Sequence, residues 1–389
     1  PSTKRIFTDA EYSAAGASIT HDLSSAGIVL GVKQPALGSL LDDKTYCFFS
    51  HVIKAQPENM PLLDEALSKR VSLVDYECVR EGGGNSSPRL IAFGEFAGKA
   101  GMVSGLRGLG LRLLALGYST PLLAIGPPHS YADYPDARRA LKAVGERIAT
   151  QGLPQEFAPL VVCVAGTGNV SRGAIDALEA TGVVEWVTPA DLPALTALLG
   201  THGAHQHKVY AVSTSTSDAV IRADDPSRPF DRGHYYAHPE EYTPVFHEAI
   251  APHISLLTTT MYWDRRFPRL LSNEQLDALP PRLLGVADIT CDVDGAVEAL
   301  VRSSTVDEPF YLVDSATGRE GNTGLDGKGV FMMGVDILPS ELPREASAFF
   351  GDALLPFLEP LTTPGAPLPA EIAAATITEG GRLTLPFEY

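Results

Sequence analysis

Ala158-Pro-Leu-Val-Val-Cys-Val-Ala-Gly-Thr-Gly-Asn-Val-Ser-Arg-Gly173 is the stretch on which the fold turns. Its first eight residues are almost wholly apolar, as expected of a strand buried on both faces of a parallel sheet. Gly166, Gly168 and Gly173 then follow as G-x-G-x-x-x-x-G, two residues longer than the dinucleotide-binding G-x-G-x-x-G. Residues 175–180 continue at helical spacing. Glycines at such a turn allow the backbone to come close to a pyrophosphate, while the N–H groups of the helix start point at it. Strand, glycine turn and helix together predict a dinucleotide site built on Gly166, Gly168, Asn169, Val170 and Gly173.

Working forward, residues 183–187 read as the next strand. A site for NAD places Asp or Glu at the end of the second strand to bind the ribose 2′-hydroxyl. Val187 and Thr188 stand there instead. Without a carboxylate there is room for a 2′-phosphate, so NADP(H) is expected. Residues 208–213, 254–262 and 283–290 read as further strands, with Asp288 and Ile289 near the end of the last. Gly318, Gly321, Gly324 and Gly327 lack the Gly-Lys-Ser/Thr of a phosphate-binding P-loop and read as a hairpin loop.

Working backward, residues 26–32, 45–50 and 71–75 are three more apolar runs, with a helix over 58–70 between the last two. Each run ends in a group that can carry protons: Lys33, His51, and Glu77 within Asp75-Tyr76-Glu77. Ligands of parallel sheets gather at the carboxyl ends of the strands. Neighbouring strands lie about 4.8 Å apart, so these side chains can surround one small substrate. Burial at an apolar strand end would also lower the pKa of Lys33. The segment 98–117 is helical in spacing yet holds six glycines, tolerable only where another backbone or a ligand packs very close. A further helix, beginning near Glu341, is expected to return to the first domain.

The expected fold class is α/β: two Rossmann-like parallel-sheet domains with the active site in the cleft between them. Residues 1–125 plus 340–389 would form the substrate-binding domain and 126–339 the dinucleotide-binding domain. With 30 basic against 47 acidic residues the net charge is −17, which argues against nucleic acid as a partner. No apolar run is long enough to suggest a membrane span. Cys47, Cys78, Cys163 and Cys291 are scattered, which suggests a reducing compartment, cytoplasmic or mitochondrial matrix. His202, His205 and His207 have no fourth ligand at fixed spacing, so no metal is expected.

Leu30-Gly-Val-Lys33, Phe48-Phe-Ser-His-Val-Ile-Lys-Ala-Gln56, Asp75-Tyr-Glu77, Gly166-Thr-Gly-Asn-Val-Ser171 and Ala287-Asp-Ile-Thr290 form a set that runs through nearly the whole chain in order. With it the sequence resembles the lysine–ketoglutarate reductase half of the bifunctional α-aminoadipic semialdehyde synthases and, more distantly, the fungal saccharopine dehydrogenases. The resemblance implies NADPH-dependent reductive condensation of L-lysine with 2-oxoglutarate to saccharopine. It implies Lys33 and His51 as the acid–base pair, and Gln56, Glu77, Arg89, Phe93, Met261 and Tyr262 as substrate-binding residues. Asn169, Val170, Asp288 and Ile289 match cofactor positions. Val187 replaces an Asp of the NAD-using relatives. A saccharopine-oxidising second domain or partner enzyme is expected. The family carries a further segment of about 40 residues before Pro1, with an arginine for substrate, so an N-terminally truncated chain is expected. Two rival readings remain: an inactive, truncated NADPH-binding or regulatory module, and a related amino-acid dehydrogenase.

Overall fold

The structure, a computed structural model, describes residues 5–84, 87–321, 324–363 and 365–388, without the Lys54 side chain. Asn85 and Ser86 of the first glycine-rich loop, and Asn322 and Thr323 of the second, lie outside the described residues. The chain divides into two compact units, Pro1–Phe93 with Arg344–Tyr389, and Gly94–Pro343. The divide falls at 93/94 and 343/344, not at the expected 125/126 and 339/340. The helix Gly94–Ala115 accounts for the difference, because its glycines pack it into the second unit.

In the first unit, Ile28–Lys33, Thr45–Phe49 and Ser72–Asp75 pair in parallel, in that order. The C-terminal segment completes the sheet: Thr376–Glu379 adds antiparallel to Ser72–Asp75, and Arg382–Leu383 adds beyond it. The sheet is therefore mixed, not wholly parallel. The helix Pro343–Thr362 returns to this unit, and its Leu354 and Phe357 share a buried cluster with Phe48, Leu73, Val74 and Ile377.

The second unit is an eight-stranded sheet. By first residue, its order is Arg319, Tyr311, Val330, Gly285, Leu256, Leu160, Val209, Val184. Six strands pair in parallel, while Tyr311–Asp314 alone runs the other way, antiparallel to both Val330–Met333 and Arg319–Glu320. Leu160–Ala165 is buried at every residue, as its unbroken apolar run requires. One feature departs from the simple dinucleotide-fold order. The strand that follows the glycine turn in the chain, Val184–Trp186, is at the sheet edge, and Val209–Thr214 lies between it and Leu160–Ala165.

The glycine-rich helix meets the expectation of a very close neighbour. A Cβ at Gly98 would overlap the Val170 carbonyl oxygen, and one at Gly173 would overlap the Glu95 carbonyl oxygen. The helices Gly94–Ala115 and Asn169–Glu179 thus touch backbone to backbone.

Candidate active site

The parallel strands of the first unit deliver their end residues to one region. Lys33 pairs in register with Phe49, two residues before His51, and Asp75 pairs with Phe48. His51 takes a left-handed backbone conformation, φ 57° and ψ 13°, which turns the chain sharply after the strand. Such a conformation is uncommon for a residue other than glycine and is enriched at sites of function. The Asn59 amide donates to the His51 carbonyl at 3.3 Å. The imidazole stacks near Phe49, with ring centroids 6.5 Å apart.

His51 Nδ1 lies 3.5 Å from Glu77 Oε2, and Arg89 Nη2 donates to Glu77 Oε1 at 2.8 Å. Glu77 is buried at 5% exposure while His51 and Arg89 are more open, so a buried carboxylate lies beside both. Beneath it, Asp75 is fully buried and accepts from the Ser50 hydroxyl and from the Glu77 N–H, the latter at 2.8 Å. Burial pushes the Asp75 carboxyl up, and these donors oppose the shift. Phe93 packs 5.9 Å from both Phe49 and Phe350, walling one side. Gln56 is exposed and accepts from the Asn59 amide at 3.4 Å.

Two expectations change here. Lys33 is exposed, so the burial invoked for it is absent in this unit. Arg89, expected as a substrate-binding residue, already holds Glu77 through one nitrogen. What the three strand ends bring together is a histidine whose Nδ1 lies 3.5 Å from a buried carboxylate.

In the second unit, Gly166 has φ 132°, and a Cβ there would strike the Thr260 hydroxyl. Thr260 Oγ1 donates to the Ala165 carbonyl at 2.8 Å and stands 2.6 Å from Ser171 Oγ, which fastens the turn. Gly168, by contrast, has nothing among the described residues within 4 Å of its missing Cβ, and it begins the helix Asn169–Glu179 with no side-chain cap. An open glycine ahead of uncapped helix N–H groups fits a dinucleotide pyrophosphate. Asn169 is exposed and accepts from Arg172 at 2.6 Å. Val170 and Gly173 face the helix Gly94–Ala115, so their observed work is helix packing.

Asp288 ends its strand completely buried. Its Oδ1 accepts from the hydroxyls of Thr259 and Thr290 at 2.7 and 2.6 Å, whereas Oδ2 has no hydrogen-bond partner among the described residues. Burial raises its pKa. Ile289 packs where Gly101 makes room. Met261 and Tyr262 line a cavity with Tyr235, Trp263 and Phe267. Tyr262 is 73% exposed, and its hydroxyl donates to Asp264 at 3.0 Å. Arg266 in turn holds the Asp264 carboxyl down to about 2.

The reading of Val187 and Thr188 is corrected by the strand order. They follow the edge strand, not the neighbour of Leu160–Ala165. Val187 donates its N–H to the Ala211 carbonyl at 2.9 Å, and Thr188 donates to Asp191, closing a capping box. Sequence reading missed Asp191 in that role. It also missed Ser213-Thr-Ser-Thr-Ser-Asp218, although a run of five hydroxyl residues at a strand end was there to be noticed.

Comparison with known proteins agrees with this architecture. The family described as Alanine dehydrogenase/PNT, N-terminal domain, matches residues 1–98. The chain is 45% identical over 399 residues to "Alpha-aminoadipic semialdehyde synthase" of Arabidopsis thaliana, covering 100% of this chain and 37% of that protein. It is 35% identical over 413 residues to "Alpha-aminoadipic semialdehyde synthase, mitochondrial" of Mus musculus, covering 100% of this chain and 43% of that one. It is also 21% identical over 369 residues to "Saccharopine dehydrogenase [NAD(+), L-lysine-forming]" of Emericella nidulans, covering 92% of this chain and 81% of that protein. The chain thus spans well under half the length of the semialdehyde synthases it matches. Among solved structures, an L-alanine dehydrogenase aligns with a TM-score of 0.59 at 18% identity, over 98% of this chain and 85% of that one. A transhydrogenase from Sinorhizobium meliloti aligns at 0.52 and 17%, over 97% and 88%. These structural likenesses show the fold.

Proposed function

We propose that the chain, which matches one region of the α-aminoadipic semialdehyde synthases along its whole length, is a lysine–ketoglutarate reductase. It condenses an amine of L-lysine with the ketone of 2-oxoglutarate, releasing water, and reduces the resulting imine to saccharopine. The observation that carries the reading from geometry is the Lys33, His51, Glu77 and Arg89 set at the ends of adjacent parallel strands.

The roles follow from chemistry. Forming an imine requires loss of protons from the amine and protonation of the departing hydroxyl. His51, steered by Glu77 through Nδ1, exchanges those protons at Nε2, and Lys33 is the second proton carrier. Arg89 has donors to spare beyond the one on Glu77, and a guanidinium grips carboxylates in a two-pronged manner. Gln56 and Phe93 bound the substrate beside them. Met261 and Tyr262, which line a cavity within the second unit, are the other substrate-binding residues. Gly166, Gly168 and Asn169 would hold the pyrophosphate of NADPH, with Asp288 at the neighbouring strand end. NADPH supplies the hydride when bound. All four cysteines are free thiols, which supports a reducing compartment, cytosol or mitochondrial matrix; among the described residues no helix is long and apolar enough to cross a membrane. Saccharopine would pass to an oxidising domain or enzyme that splits it.

The test is loss of reduced-nicotinamide absorbance with lysine and 2-oxoglutarate, omitting each in turn. Oxidation that needs both is expected. Oxidation with 2-oxoglutarate and an amine other than lysine, but not with lysine, would overturn the substrate assignment.

A further inference from the structure

Within the NADPH reading above, on which this step rests, the strand order relocates the residues that decide between phosphorylated and unphosphorylated cofactor. A dinucleotide fold reads the adenosine ribose at the end of the strand beside the one that carries the glycine turn. Here that neighbour is Val209–Thr214: Ala165 pairs with Thr214, and the Gly166 N–H donates to the Thr214 carbonyl at 2.8 Å. The chain leaves this strand as Ser213-Thr-Ser-Thr-Ser-Asp218, with neither Lys nor Arg between 209 and 218.

We propose that Ser213, Thr216 and Ser217 form the binding site for the 2′-phosphate of NADPH and set the preference for it over NADH. Ser213 and Ser217 are exposed and Thr216 is half-buried. The hydroxyls of Ser213 and Thr216 make no hydrogen bond among the described residues, so both are available to donate. Thr214 is buried, with its hydroxyl 3.7 Å from Cys163 Sγ, and is turned away from this task. The carboxylate that would suit a bare 2′-hydroxyl is present but committed elsewhere. Asp218 Oδ2 accepts from the Ser215 N–H and hydroxyl, each at 2.8 Å, and Ser215 Oγ lies 2.7 Å from Ser217 Oγ. What remains at the strand end is a cluster of neutral donors, which accepts a phosphate without the repulsion an acid would impose.

The experiment is titration of NADPH and NADH, by cofactor fluorescence and by calorimetry, into the full chain and into Ser213→Asp, Ser217→Asp and Val187→Asp proteins. Melting temperatures would verify that each is folded. A carboxylate beside a phosphate should weaken NADPH binding by roughly tenfold or more in Ser213→Asp and Ser217→Asp, with NADH within about threefold of wild type. The proposal is overturned if both folded variants keep the wild-type ratio, or if only Val187→Asp changes it. A wild-type chain that binds NADH more tightly than NADPH would instead remove the NADPH reading itself.

Discussion

His51 combines a left-handed backbone with a side chain drawn toward a buried carboxylate, and neither property is needed to hold a sheet together. Replacing it with Gln should keep the ring-sized volume roughly filled while removing proton exchange. His51→Gln and Lys33→Met are each expected to lower turnover by roughly 10²–10⁴-fold, with NADPH affinity nearly unchanged in a binding titration. A variant with full turnover would remove that residue from the mechanism. Asp288 makes a different prediction, one of pH. Its folded pKa is raised by burial above the usual 3.8, so its favourable contribution is complete below that value and is lost as pH rises through the folded pKa. Asp288→Asn keeps an acceptor for the Thr259 and Thr290 hydroxyls and removes the buried charge. Near neutral pH it should melt at or above wild type, by about 2–4 °C per kcal/mol relieved, and the difference should close as pH is lowered. A gap that widens toward acid would contradict the assignment.

At the scale of elements, the two interlocked helices separate packing glycines from one proposed to bind the cofactor. Gly98→Ala and Gly173→Ala each push a methyl into a carbonyl oxygen, so the helices must part. Each should cost about 1–3 kcal/mol or more in urea unfolding. Gly168→Ala meets nothing within 4 Å among the described residues and should fold like wild type, while weakening dinucleotide binding in the same titration. Equal stability losses in all three would refute the division of labour. The elements themselves were largely legible: residues 160–165, 209–214 and 285–288 all announced themselves as apolar runs, and the glycine-dense helix announced a close neighbour. Their arrangement was not. Val184–Trp186 and Val209–Thr214 look alike locally, and which one flanks Leu160–Ala165 depends on which face the intervening chain covers. Leu192 and Leu195 lie in one cluster with Cys163 and Val212, on the face opposite the Asn169–Glu179 helix. Only that tertiary choice reveals that Val187 belongs to the edge. Likewise the hydrogen bond from Arg89 to Glu77 joins residues twelve apart across a loop, and no periodicity signals it.

For the whole molecule, continuity of chain distinguishes the two units. Gly94–Pro343 is one uninterrupted stretch with its own buried sheet, whereas the first unit is assembled from two distant pieces. Residues 94–343 produced alone should therefore unfold cooperatively and bind NADPH. Residues 1–93 alone lack Leu354, Phe357, Ile372 and Ile377 from their core and should show no cooperative transition. Circular dichroism of both fragments checks this, and a stably folded 1–93 would be the failing result.

The same discontinuity acquires a meaning in time. The Leu73 N–H is satisfied by the Thr378 hydroxyl, 305 residues later in the chain. At the usual pace of synthesis, about 5–20 residues per second, that partner emerges from a ribosome roughly 15–60 s after its strand. During that wait Ser72–Asp75 is a bare sheet edge, the kind of surface other chains pair with. A nascent chain of this protein is thus exposed to misassociation for as long as the intervening unit takes to be made, and a chaperone that shields strand edges would act on it in that interval.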